Sequence, residues 1–376
     1  MNVSPGTGGS FAIEVTDQPP TDWDGLQSGD PACEYSQTRY WCETVAAEVP
    51  AAGALWLTAR RSGNAVAGLS LVTLQVRRPV LGVPLSYGRW DASYEGTSGG
   101  PLFSPELVAA ERNHLFGRLV DELARFRKGP LGSCALVLSP DQEKQFGPVM
   151  SGRRGWIRHE TLTAAVSLAG GIDEVEKHRL VTNKRNERNR AVRRGVEHFI
   201  TRDKDLVAEY YRIYEQAARH WGVPPPPLGL LQALLDDPGG GVFFTCVRLK
   251  GKVIGGHLNL HHGARVLVWN GVTDPAYSRE YFPATMCMWG DLEESCRRGA
   301  VWLDMGGNAG VNTLAGFKKF FGAELQTRGL YFNDAPLAAM AKRTRQLVRG
   351  IRSGRAADRW HDRVTRPQPG TDHETG

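Results

Sequence analysis

Two stretches decide the fold of this chain: Leu57-Thr-Ala-Arg-Arg-Ser-Gly-Asn-Ala-Val-Ala-Gly-Leu-Ser-Leu71 and Thr245-Cys-Val-Arg-Leu-Lys-Gly-Lys-Val-Ile-Gly-Gly-His-Leu-Asn-Leu260. Each reads as an apolar strand, a tight turn around a glycine (Ser62-Gly63-Asn64; Lys250-Gly251-Lys252) and a second apolar strand with glycine near its start. A short glycine-containing turn between apolar runs predicts a β-hairpin. The segments downstream of the two hairpins repeat as well. After the first, Ser104-Pro105-Glu106 opens a helix with Val108, Leu115, Leu119, Leu123 and Phe126 at helical spacing, stopped by Gly129-Pro130. A buried strand, Cys134-Ala-Leu-Val-Leu138, comes next. After the second come a strand at Val266–Asn270, a helix from about Pro283 to Arg298, and the strand Val301-Trp-Leu-Asp304. Hairpin, helix and strand in the same order twice predict an α/β duplication. We expect units at 21–155 and 156–332, a disordered Gly/Pro/Ser-rich segment at 1–20, and a basic helix and tail at 333–376.

The bulk properties bound the function. A chain of 376 residues exceeds the size at which single cores stop growing. At 41% hydrophobic and 23% charged it has the composition of a globular protein. No run approaches the apolar length of a membrane helix, and Met1-Asn-Val-Ser-Pro-Gly lacks the basic and apolar regions of a secretory signal. The six cysteines form no C-x-x-C, and several stand inside apolar runs, so free buried thiols are expected. A cytoplasmic protein without membrane insertion is the expectation. The net charge of +6 is concentrated at the end, where residues 342–376 hold nine Lys/Arg against four Asp/Glu. Such asymmetry fits contact with a polyanion as well as a solvated basic helix end.

Three segments could carry chemistry. In Thr182-Asn-Lys-Arg-Asn-Glu-Arg-Asn-Arg-Ala-Val-Arg-Arg-Gly195, read as a helix, Val181, Arg185, Arg188 and Val192 share one stripe. An apolar-flanked stripe faces the core, so Arg185 and Arg188 should line a polar cleft or pair with a carboxylate beneath the helix. The run Leu314-Ala-Gly-Phe-Lys-Lys-Phe-Phe-Gly322 comes after Asp304-Met-Gly-Gly, a glycine-rich turn at the end of a buried strand. Ligands of open α/β sheets bind beyond such strand ends. Lys318, between Phe317 and Phe321, would have a packed stem and a directed ammonium able to stabilise charge developing on a carbonyl oxygen. Alternatively it is a snorkelling surface lysine. Arg219-His220-Trp221 ends a third helix before a proline-rich loop, and Asp91 with Tyr94 occupies the comparable loop of the first unit. There is no P-loop, G-x-G-x-x-G, G-x-S-x-G or H-E-x-x-H, and nothing in the chain demands a metal or a cofactor.

The run from Lys184 to Val196 and the run Leu314-x-x-Phe317-Lys318-x-x-Phe321-Gly322 together resemble the Fem family of transferases, over roughly residues 30–332. The resemblance implies two tandem GNAT-like (acyl-CoA N-acyltransferase-like) α/β domains facing a shared cleft. It also implies transfer of an amino acid from aminoacyl-tRNA to the amine of a peptide, natural-product or cell-wall-precursor acceptor. In that family the lysine of the Phe-Lys pair handles the aminoacyl carbonyl, a role that would fall on Lys318, with Asp304 beside it. Arg219 or His220 would help hold acceptor phosphates. The tail cations Lys342, Arg343, Arg345, Arg349 and Arg352 would meet tRNA. Two departures bear on the acceptor. Gln37…Trp41 is not followed by the lysine of cell-wall members, and no long charged helical arm interrupts the second domain. Both favour a smaller amine over a nucleotide-linked muropeptide. An acyl-CoA-dependent N-acyltransferase and a non-catalytic binding module are the alternatives.

Overall fold

The computed structural model describes residues 11–80, 83–126, 132–307 and 312–340. The first half contains β1 (Ala12–Thr16), α1 (Trp23–Gly29), α2 (Arg39–Glu48), β2 (Ala52–Arg61), β3 (Asn64–Val80), β4 (Val83–Asp91), β5 (Leu102–Phe103), α3 (Ala109–Arg125), β6 (Ser133–Leu138) and α4 (Pro140–Met150). The second half runs β7 (Ile157–Ser167), α5 (Gly171–Glu174), α6 (Thr182–Arg193), β8 (Val196–Thr201), α7 (Lys204–Trp221), α8 (Leu228–Leu234), β9 (Val242–Leu249) and β10 (Lys252–His262). It continues with β11 (Arg265–Thr273), α9 (Ser278–Tyr281), α10 (Pro283–Arg297), β12 (Trp302–Gly307), α11 (Asn312–Lys319) and β13 (Glu324–Asp334).

Both expected hairpins form and occupy corresponding places. Their turns share one backbone solution: φ is +52° and +85° at Ser62 and Gly63, and +48° and +82° at Lys250 and Gly251. Two consecutive left-handed residues give the turn twist that matches twisted strands. Each half then brings a parallel pair together over three residues, Arg89–Asp91 beside Ser133–Ala135 and Arg265–Leu267 beside Trp302–Asp304. Beyond that register β11 and β12 part, whereas β4 ends at Asp91.

The sheet order is β1-β2-β3-β4-β6-β13-β7-β12-β11-β10-β9-β8, with β5 on β3. The closing strands are therefore exchanged. β7 succeeds β6 in the chain yet pairs with β12, while β13 succeeds β12 yet pairs with β6. β7 and β13 pair with each other and join the halves into one sheet. A shared core reinforces this joint, since Trp23, Trp41, Trp56 and Tyr94 belong to the same buried cluster as Tyr210, Leu230, Leu231, Phe244 and Leu258.

Several expectations are revised. Residues 12–16, within the segment expected to lack structure, form an edge strand paired with β2. α3 begins at Ala109, not near Pro105, because the Glu111 carboxylate accepts from the Val108 amide and leaves Val108 outside, 62% exposed. Of the expected C-terminal helix and tail, residues 336–340 are described and helical, with Leu337 and Met340 exposed and Ala338 buried. The tail cations Lys342, Arg343, Arg345, Arg349 and Arg352 lie outside the described residues. No described helix is long and apolar enough to cross a membrane. The six cysteines are free thiols.

Candidate active site

Where β11 and β12 part, a pocket of about 430 Å³ opens. Its walls are Leu267, Val268, Trp269 and Gly271 of β11, Met305–Gly307 at the end of β12, Met288 of α10, and Leu314, Phe317 and Lys318 of α11. His257 of β10 forms part of the wall, and Glu95-Gly96 of the first half completes the rim. Trp269 donates its indole N–H to the Glu95 carbonyl at 3.0 Å, which ties that loop to the second half.

The geometry of the Asp304-Met-Gly-Gly turn is set by its hydrogen bonds. Asp304 Oδ1 accepts from the Gly306 amide at 2.8 Å and from the Thr163 hydroxyl. Its Oδ2 accepts from Arg265 at 3.1 Å. Gly306, at φ +73°, turns the backbone so that the carbonyls of Gly306 and Gly307 accept from Lys318 Nζ at 2.8 and 2.9 Å. Lys318 is only 4% exposed, and Phe317 and Phe321 beside it stand 5.0 Å apart. Its ammonium is therefore held at a fixed point, with one of three donors uncommitted to those carbonyls. Burial pushes its pKa down to about 8, against the opposing field of Asp304.

Of the other candidates among the described residues, Phe317 lines the pocket and the rest do not. Asp304 stands behind the wall; with its oxygens taken up by Thr163, Gly306 and Arg265, it acts by positioning the turn. The expected stripe on α6 is off by one position. Val181 and Val192 are exposed, and Lys184, Glu187 and Ala191 face inward. Lys184 can turn inward because Glu187 accepts from it at 2.6 Å and the Phe317 ring lies 4.9 Å from its Nζ. Arg185, half-buried, donates to the Thr182 hydroxyl at 3.1 Å. Arg188 does pair with a carboxylate beneath the helix, Glu176 at 2.5 Å, and stacks on Trp289. Arg219 and His220 are exposed at the end of α7. Tyr94 is buried beside Trp41, where desolvation pushes its hydroxyl pKa up, and Asp91 is buried with Arg89. Their loop nevertheless delivers Glu95 and Gly96 to the pocket.

One group escapes the sequence reading. His257 Nδ1 lies 2.5 Å from Asp291 Oδ2. Asp291, on α10, is fully buried and also accepts from Thr245 at 2.5 Å and Asn259 at 2.8 Å. The available signal is an acidic residue one turn after Cys287 and Met288 on an apolar helix face, where an unpaired carboxylate would be costly.

The connection from β11 to α10 lacks a glycine-rich turn, although it carries Arg279. Residues 274–282 contain no glycine and include Asp274 and Glu280. Asp274 takes up the Ala276 amide at 3.0 Å, and Pro275 and Pro283 contribute no N–H. A pyrophosphate cradle needs converging free amides.

Residues 177–319, from before α6 to the end of α11, match the family model described as an acetyltransferase (GNAT) domain. Among curated proteins no match is found. Among solved structures the chain is similar to FemX at 13% identity, covering 86% of this chain and 98% of that one with a TM-score of 0.63. A conserved protein of unknown function from Bacteroides thetaiotaomicron is 10% identical, with 86% and 100% coverage and a TM-score of 0.53. The C-terminal domain of a putative lysylphosphatidylglycerol synthetase from Agrobacterium fabrum is 13% identical, with 75% and 85% coverage and a TM-score of 0.51. At such identities the likeness is one of fold. Residues 177–319 thus match a GNAT acetyltransferase domain, and the chain as a whole shares its fold with FemX.

Proposed function

We propose that the protein transfers an aminoacyl group from aminoacyl-tRNA to the amine of a small peptide or natural-product intermediate, forming an amide. The observation that carries this reading is the buried Lys318 ammonium at the edge of the pocket, fixed by the carbonyls of Gly306 and Gly307. An aminoacyl ester is already activated. The protein need only align the amine and stabilise the oxyanion, and a held ammonium at the pocket serves that end without metal or nucleotide hydrolysis. The apolar walls suit an amino-acid side chain, and the exposed Glu95 at the rim offers a counter-charge for its α-ammonium. Phosphates of the tRNA would be met by the five tail cations.

The test incubates purified full-length protein with tRNA charged with radiolabelled amino acids and a cell extract, with and without ribonuclease. Ribonuclease-sensitive label in an amide product is expected. Replacing the five tail cations with Ser should weaken tRNA binding and flatten its dependence on salt, because fewer counterions are released. Unchanged affinity at low and high salt would assign the tail to solubility. The second reading, N-acylation from an acyl-CoA, draws on the acetyltransferase domain match. The glycine-free 274–282 connection disfavours it. Label transferred from acyl-CoA and not from tRNA would select it.

A further inference from the structure

The pocket holds a second polar group opposite in character to the lysine. His257 is 8% exposed on β10, and its Nδ1 edge is turned to Asp291. Asp291 is in turn immobilised by Thr245 and Asn259. The other edge of the ring lies over Gly271, where a built Cβ would come 2.4 Å from Cδ2 and 2.9 Å from Nε2. Glycine at this cross-strand position leaves the space the imidazole occupies. Both residues line the pocket that Lys318 borders, with Glu95 the other charged side chain on its wall. A carboxylate fully enclosed by donors, bonded to one nitrogen of an imidazole whose other edge meets a pocket, fixes the tautomer and leaves Nε2 as an acceptor.

We infer that His257 is the general base of the transfer reaction, with Asp291 as its positioning residue. This rests on the acyl-transfer reading of the same pocket. As the acceptor nitrogen attacks the carbonyl carbon, Nε2 takes the proton that the nitrogen loses. The C–N bond forms, and the carbonyl π pair moves to oxygen beside Lys318. When that pair returns, the bond from carbon to the donor's leaving oxygen breaks, and the imidazolium gives its proton to that oxygen. The products are an amide and a free hydroxyl, with the imidazole restored and no other reactant consumed. General base catalysis of this kind contributes about 10²–10⁴-fold.

The test uses the full chain and two donors, charged total tRNA and acetyl-CoA, with cell extract as the source of acceptor. His257→Asn keeps an amide N–H near the Nδ1 position, so Asp291 stays paired and the fold is retained. Its kcat should fall about 10²-fold or more with KM within a few-fold. In His257→Ala, added imidazole should restore activity in proportion to its free-base concentration, which a purely structural role would not allow. Wild-type rates in His257→Asn, or no rescue of a folded His257→Ala, overturn the assignment. If wild type uses acetyl-CoA and not tRNA, the donor reading fails while the base is still tested on that donor. Nitrogen-15 NMR of histidine-labelled protein, assigned by the His257→Asn difference, needs no turnover. In its neutral form the ring should carry its proton on Nδ1, and a proton on Nε2 instead overturns the inference.

Discussion

Lys318 is where a single atom carries most of the proposed chemistry. If its ammonium stabilises the developing oxyanion, Lys318→Ala should cut kcat by ~10²–10³, about 2.7–4 kcal/mol, with KM little changed. Exposed Lys319 is the control and should lose less than tenfold; equal sensitivity of the two would point to bulk positive charge. Because burial lowers the Lys318 pKa to about 8, the protonated donor is lost as pH rises through that value, and kcat should fall there. The same shift has an opposite consequence for stability. Between about pH 8 and the ordinary lysine value of 10.5 the unfolded chain holds a proton that the folded one has released, so stability from this group rises across that window. Denaturant midpoints measured from pH 7 to 10 should therefore climb less in Lys318→Met than in wild type.

At the scale of elements, α11 is held from behind by α6. The Lys184–Glu187 pair is nearly buried, and Glu187 also accepts from Thr285 of α10 at 2.6 Å. Removing Glu187 leaves an ammonium and a hydroxyl enclosed without the carboxylate they bond. Glu187→Ala should cost about 3 kcal/mol, at the lower end for breaking a buried pair, read from the urea midpoint. Replacing both members by Met and Leu should cost much less, since no charge is then left enclosed. A small and equal loss in both variants would show the pair to be solvent-screened. This arrangement also explains why the apolar-stripe reading of α6 slipped. The helix faces inward with a lysine and a glutamate that satisfy one another, a face that a search for apolar residues passes over.

For the whole molecule, the exchange of β7 and β13 makes the halves interdependent. A fragment of residues 1–155 lacks β13 against β6, and a fragment of 156–376 exposes β13 without its β6 partner. It also loses the Trp41 side of the shared core, where Tyr40 donates to the Ala233 carbonyl at 2.8 Å. The intact chain should unfold in one cooperative transition. Either fragment alone should fail to give native near-ultraviolet circular dichroism, and the two co-expressed should copurify as a folded pair. Two separable transitions in the intact chain would show that each half is stable by itself.

The sequence by itself determined the duplication. Its hairpins are local objects, specified by glycine turns and apolar runs over some fifteen residues, as are Pro283 at the start of α10 and the glycine turn before Lys318. The Phe-Lys pair was legible for the same reason, as neighbours in the chain remain neighbours in space. Only the tertiary structure decided which strands exchange, because pairing is a competition among segments distant in the chain. It also decided that Asp304 serves the turn instead of the pocket, and that His257 and Asp291, 34 residues apart, meet. Nothing local distinguishes such a histidine from any other on a buried strand. Its role depends on a carboxylate brought by another element, and long-range contacts of that kind exist only once the chain has closed.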